Sequence, residues 1–134
     1  MLRLHDVPGT HSVMTIVPPH TTSDSTVGHP VFYAPFDCTM TAVKLIHGAD
    51  VTGQATNYFT WTLRNRGTAG TATTSLATRA YSGTAVTDSR GVPRTLYSTE
   101  TNLSAGQIIE LEWTKAGNGL ASPPTAVIIE YKAR

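Results

Sequence analysis

Residues 58–65 read Tyr-Phe-Thr-Trp-Thr-Leu-Arg-Asn, and residues 107–114 read Gln-Ile-Ile-Glu-Leu-Glu-Trp-Thr. In the first, Phe59, Trp61 and Leu63 fall on one face while Tyr58, Thr60, Thr62 and Arg64 fall on the other. In the second, Ile109, Leu111 and Trp113 alternate with Ile108, Glu110 and Glu112. Successive side chains of a strand point to opposite sides, so this alternation predicts half-buried β-strands. Residues 125–132 repeat it, with Val127, Ile129 and Tyr131 opposed to Ala126, Ile128, Glu130 and Lys132. These three inward rows, with both tryptophans, are the expected core. Ile108 and Ile128 add apolar bulk to the nominal outer faces, which predicts that something covers part of that surface, a neighbouring subunit for instance.

Outward from these stretches, the chain from residue 31 onward is a succession of short runs rich in Val, Ile, Thr and aromatics. They span 31–34, 39–47, 58–65, 73–81, 94–99, 107–114 and 125–132, separated by turns built on Gly, Pro, Asn and Asp. That spacing is typical of sandwiches and jelly rolls. Composition agrees with it. The 134 residues suffice for one core; only 14% are charged, against roughly 25% in an average soluble domain. Thr occurs 23 times and Ser 9 times, so hydroxyls cover much of the surface. A helical bundle is disfavoured by the scarcity of good helix formers, disorder by the 40% apolar content, and a membrane helix by the lack of a long apolar run. The expected fold is all-β: an antiparallel β-sandwich or jelly-roll-like barrel.

The first thirty residues differ from the rest. They hold Pro8, Gly9, Pro18, Pro19 and Gly28, four of the five histidines, and one apolar stretch at 13–17. This reads as an extended N-terminal arm (1–30) carrying one strand, ahead of a sandwich domain (31–134). Proline limits the freedom an arm loses on ordering, and a short apolar strand can add to a neighbour's exposed sheet edge. Leu2, Leu4, Val13, Met14, Ile16 and Val17 are therefore candidate interface residues, and Arg64, Arg66, Ile108 and Ile128 are candidates for an exposed interface on the sandwich itself.

Catalysis needs convergent polar groups, and the sequence offers weak ones. His5, His11, His20, His29 and His47 show no His-x-His or His-x-x-x-His spacing and no neighbouring Cys or Glu pair, so no metal and no cofactor is expected. Glu110 and Glu112 lie roughly 7 Å apart on one strand face, near the separation of glycosidase carboxylates, but a solvated strand face explains them as well. No nucleophile elbow or phosphate loop is present, and no enzymatic activity is expected. The formal charge is +1, and the arm holds Arg3 against Asp6 and Asp24, which argues against nucleic acid or an anionic membrane as partner. Cys38, the single cysteine, excludes an intrachain disulfide and reads as a small buried hydrophobe. No secretion leader is legible at the N-terminus, and Asn102-Leu103-Ser104 reads as a turn. Tyr33, Tyr58, Tyr81 and Tyr97 could stack sugars if the sandwich were a glycan-binding module.

The stretches Ala34-Pro35-Phe36-Asp37-Cys38-Thr39, Ala49-Asp50-Val51-Thr52-Gly53, Leu63-Arg64-Asn65-Arg66-Gly67, Leu103-Ser104-Ala105-Gly106-Gln107 and Gly119-Leu120-Ala121-Ser122-Pro123 cover most of the last hundred residues. Through them the chain resembles a family of small Thr/Gly/Ala-rich virion structural proteins of tailed bacteriophages; members often carry Gly-Asp where this chain has Gly106-Gln107. The resemblance implies a head-decoration (cement) protein of β-sandwich or jelly-roll fold. It further implies homotrimers bound to the major capsid protein on the outer surface of the capsid. A receptor- or glycan-binding module of a tail or fibre is the alternative.

Overall fold

The computed structural model describes residues 9–134, and within them the chain is all-β. Eleven strands occur in chain order: β1 His11–Val17, β2 Val27–Tyr33, β3 Cys38–His47, β4 Val51–Thr52, β5 Tyr58–Asn65, β6 Thr74–Ala80, β7 Thr87–Asp88, β8 Arg94–Tyr97, β9 Thr101–Leu103, β10 Ile108–Ala116 and β11 Thr125–Ala133. One sheet runs β1-β11-β3-β8, with β9 also on β3; the other runs β2-β10-β5-β6, and β4 and β7 form a small ribbon. Every pairing is antiparallel. First strand pairs with last, second with last but one, and the pairing proceeds inward to the β5-β6 hairpin. This is a long antiparallel ribbon rolled over so that its successive pairs fall alternately in two facing sheets, the jelly-roll arrangement.

Alternation along the strands fills the space between the sheets. Phe59, Trp61, Leu63, Ile109, Leu111, Trp113, Val127, Ile129 and Tyr131 are all buried, together with Met40, Val43 and Leu45 from β3. Trp61 and Trp113 sit opposite one another in the β5-β10 register, and Phe59 packs near both rings. Cys38 is buried and unpaired, and burial pushes its thiol upward, away from the reactive thiolate.

The division expected at residue 30 does not exist as a boundary. Residues 11–17 pair along their whole length with β11 of the same sandwich, and β2 begins at Val27, so residue 30 lies within a strand. Sequence reading found only the part of β2 after Pro30, in the run 31–34; the proline is tolerated within the strand because β2 is an edge strand, with a free side that needs no donor. Val17, expected in an interface, is buried in the chain's own core. Asn102 and Leu103, read together with Ser104 as a turn, belong to strand β9, where the Asn102 side chain accepts a hydrogen bond from Thr39. Leu2 and Leu4 lie outside the described residues.

Candidate functional site

The two sides of the sandwich are finished differently, and the difference locates the site. On one side the sheet edges β6 and β8 are joined by a buried polar cluster. On the other, edges β1 and β2 leave a groove.

Strand β1 carries His11-Ser12-Val13-Met14-Thr15-Ile16-Val17, with no Lys, Arg, Asp, Glu or Pro, and its register on β11 is unbroken by any bulge. Sheet edges are ordinarily blunted by just those devices, since free N–H and C=O groups template further pairing. The outward residues are unusually bare: Met14 is 60% exposed and Ile16 58%. Their cross-strand neighbours extend the patch inward, because Ile16 lies beside Ala126 and then Ile46, and Met14 beside Ile128 and then Lys44. A stripe of Met14, Ile16, Ala126, Ile128 and Ile46 thus crosses the outer face of the first sheet, and Lys44, paired with Glu130 at 3.4 Å, marks its polar rim. Ile128 was expected at an exposed interface; the register places it in the centre of this stripe with two of the expected arm residues.

Around the edge, on the inner side, lies an apolar groove of about 470 Å³ between β1 and β2, lined by Val13, Thr15, Val31, Phe32, Ile108 and Tyr131 among others. Val13 is 38% exposed although it faces inward. The Thr15 hydroxyl donates to the Val31 carbonyl at 3.2 Å and holds the two edge strands together. Tyr33 is two-thirds exposed at the rim.

The other expected sites are not brought together. Arg64 pairs with Glu112, and Arg66 with Glu110, both at 3.3 Å across the outer face of the second sheet. The four residues neutralise one another on a strand face, which accounts for the arginines and for the Glu110/Glu112 spacing alike. Gly28 lets the Glu110 side chain lie across β2; a Cβ there would meet Glu110 Oε1 at 1.7 Å. Tyr81, a proposed sugar platform, is fully buried. Among the described residues, no group of three His, Cys, Asp or Glu is placed to hold a metal ion.

Two polar clusters were not legible in the sequence because each is completed by residues far along it, His47 and Thr125 in the first and Trp113 in the second. The first lies under β4 and β7. Asp88 accepts from Arg79 Nε at 3.0 Å, from the second Arg79 amine at 2.6 Å and from the Tyr81 hydroxyl at 2.6 Å. His47 Nε2 lies 3.2 Å from the same carboxylate, and its Nδ1 lies 2.9 Å from the Thr125 hydroxyl. The Tyr81 proton is committed to Asp88, and a carboxylate only accepts, so the His47 contact to Asp88 is made by the Nε2 proton; the Thr125 hydroxyl donates to the Pro123 carbonyl at 3.0 Å. Burial pushes Asp88 upward, but the Arg79 and Tyr81 hydrogen bonds and the Arg79 charge overcome it and hold the carboxyl below its ordinary range. Burial pushes His47 down despite Asp88. The cluster joins β3, β6, β7 and β11; its groups are all internally partnered, so its role is to close this side of the sandwich.

The second cluster caps the core near the tryptophans. The His20 ring stacks on Trp113 at 4.8 Å, with Nδ1 3.1 Å from Asp24 and Nε2 2.7 Å from His29 Nε2. A contact between two ring nitrogens needs one protonated and one bare, so both imidazoles cannot be charged and keep it. Burial, and then the neighbouring His20, lower the His29 proton affinity.

These shifts fix the pH dependence. His29 and His47 bind a proton more weakly folded than unfolded, so their contribution is complete above the ordinary histidine range near ~6.5 and is lost as pH falls through the folded values. Asp88 adds a further loss at lower pH, below the ordinary carboxylate range near ~3.9. The melting temperature is expected to be level above neutrality and to fall progressively from pH ~6.5 downward. A melting series between pH 8 and 4 checks it, and a His29→Gln, His47→Asn variant should have a flatter profile over the upper part of that range.

No family model matches the chain, and no curated protein matches it. Among solved structures, it is similar to a CocE/NonD family hydrolase from Staphylococcus aureus at 10% identity, with a TM-score of 0.43, over 93% of this chain and 31% of that one. It is also similar to a chain in the structure of infectious bursal disease virus, Gx strain, at 11% identity, with a TM-score of 0.40, over 93% of this chain and 32% of that one. The chain thus spans about a third of the length of either.

Proposed function

We propose that this chain is a non-enzymatic structural protein of a tailed-bacteriophage virion, which decorates the outer surface of the capsid, binds the major capsid protein as a homotrimer and stabilises the shell. The observation that supports this reading is the uncharged edge strand β1 with its bare outer row of Met14 and Ile16, continued by Ile128. An apolar stripe on an unguarded sheet edge is a protein-docking surface, where main-chain pairing supplies affinity and alternate side chains supply specificity. Identical copies on repeated coat junctions then shift the assembly equilibrium by mass action, and avidity makes weak single contacts sufficient. Net charge near zero keeps repulsion between neighbouring copies small.

Co-sedimentation with empty capsid shells tests it. Charged substitution of Met14 and Ile16, as Met14→Lys with Ile16→Lys, removes two apolar side chains each worth about 1.5–3 kcal/mol on burial, so affinity should drop by at least about a hundredfold. Both residues point to solvent, so the melting temperature should change little. Undiminished binding by a folded double variant would sink the proposal. A glycan-binding module is the second reading, favoured by the exposure of Tyr33 beside the groove; glycan-array binding abolished by Tyr33→Ala would support it.

A further inference from the structure

Two imidazoles meet at the end of the core where the loop between β1 and β2 passes over the tryptophans. Their ring centroids are 4.9 Å apart and their Nε2 atoms 2.7 Å, so the two nitrogens lie between the rings and face one another. We propose that this His20–His29 pair is an acid-operated latch. With at most one added proton the cap stays closed; a second drives the His29 ring out to solvent and opens the core beside Trp61, with the sandwich still folded. The device is independent of any capsid binding.

Ionised Asp24 only accepts, so His20 Nδ1, 3.1 Å away, carries a hydrogen. In the uncharged ring Nε2 is then bare and accepts from His29 Nε2–H. One added proton leaves the contact intact, because whichever ring takes it, the other can present a bare Nε2. A second puts N–H on both facing atoms and a positive charge on both rings, and no change of tautomer restores an acceptor. What surrounds each ring decides which one leaves. His20 is 5% exposed, and its backbone exchanges two hydrogen bonds with Ser122. Its ring keeps the Asp24 carboxylate and stacks on Trp113 at 4.8 Å, where a cation is attracted to the indole face. The Thr21 amide, donating at 2.9 Å, holds the Asp24 carboxyl below its ordinary range, helped by His20 and Lys115 although burial opposes it; Asp24 therefore stays ionised while the histidines titrate. Lys115 turns its ammonium to the Thr22 carbonyl, 3.0 Å away. His29 has different surroundings. It is half-buried on edge strand β2, and its register partner on β10 is Leu111. The carboxylates flanking Leu111, Glu110 and Glu112, lie on the outer face with Arg66 and Arg64. From β5, Trp61 meets it edge-on at 6.4 Å between centroids. Burial, and then the charge on His20, lower the proton affinity of His29, so the second proton binds below the ordinary histidine range near ~6.5.

Both tryptophans of the chain sit in this cluster, so their emission reports on it directly. In a series from about pH 8 to about pH 4, the acrylamide quenching constant of the full chain should rise several-fold as pH falls below ~6.5, where far-ultraviolet circular dichroism is still native. In His29→Gln, whose amide can donate to His20 Nε2 but takes up no proton, the constant should stay low; in His47→Asn the rise should persist. A flat profile in the parent, a rise only where circular dichroism is lost, an unchanged rise in His29→Gln, or its loss in His47→Asn would each overturn the proposal. Nuclear Overhauser contacts in the parent chain show which ring moves without any substitution. Those between His29 and the Trp61 ring should disappear on acidification while those between His20 and the Trp113 ring remain. Persistence of the first set or loss of the second would overturn the proposal as well, whereas the Met14 and Ile16 capsid-binding result bears only on the other reading.

Discussion

Asp88→Ala is expected to be among the most destabilising single substitutions in the protein, lowering unfolding free energy by about 3–5 kcal/mol and the melting temperature by roughly 10–20 °C. The Asp88 side chain is 1% exposed and is the common acceptor for Arg79, Tyr81 and His47, with Arg94 Nε a further 3.7 Å away. Its removal leaves the Arg79 charge, only 15% exposed, without a counterion, and leaves the Tyr81 and His47 protons without their acceptor. An orphaned buried charge costs far more than the pair had contributed, because desolvation of Arg79 persists after its compensation is gone. Asp88→Asn keeps the shape and one acceptor oxygen and should lose less. Chemical denaturation of the three proteins at neutral pH checks the order. A loss under about 1 kcal/mol for Asp88→Ala would mean that the β6-β8 side is closed by apolar packing instead.

A chain beginning at Val31 is expected not to fold. Such a cut suits a detachable arm, but here it removes β1, more than half of β2 and the loop between them. It exposes the β11 edge along the seven-residue β1 register and deletes Val17 from the core. His20 and His29 go with it, so Trp113 loses its stacked imidazole and Trp61 two ring neighbours. Against a total margin of about 5–15 kcal/mol, losing one outer strand from each sheet and the cap over both tryptophans leaves no stable native state. A chain beginning at Thr10 keeps β1 to β11 and should unfold cooperatively. Tryptophan emission separates the outcomes, being blue-shifted in the longer chain and water-like in the shorter. Cooperative unfolding of the Val31 chain would restore the idea of an independent arm. Point substitutions on β1, not truncation, are therefore the means to separate binding from folding.

The inward rows of β5, β10 and β11 were legible because burial acts on alternate residues of one strand, and the reading of Trp61, Trp113 and Ile129 as core needed no knowledge of the partner strand. Threonine content and low charge likewise pointed to sheets with hydroxyl-covered faces. Strand pairing was a different matter. Residues 11–17 have the same pattern whether they pair with β11 of their own chain or with a neighbour's sheet, since an antiparallel ladder is made of backbone groups that every residue carries. The sequence by itself determined an all-β chain, its inward faces and the apolar character of β1. Only the tertiary structure decided that β1 belongs to its own sandwich, that Met14, Ile16 and Ile128 form one stripe, and that His47, Arg79, Asp88 and Thr125 meet. Those facts depend on contacts between residues dozens of positions apart, where the register of one strand on another, not local periodicity, sets which side chains touch.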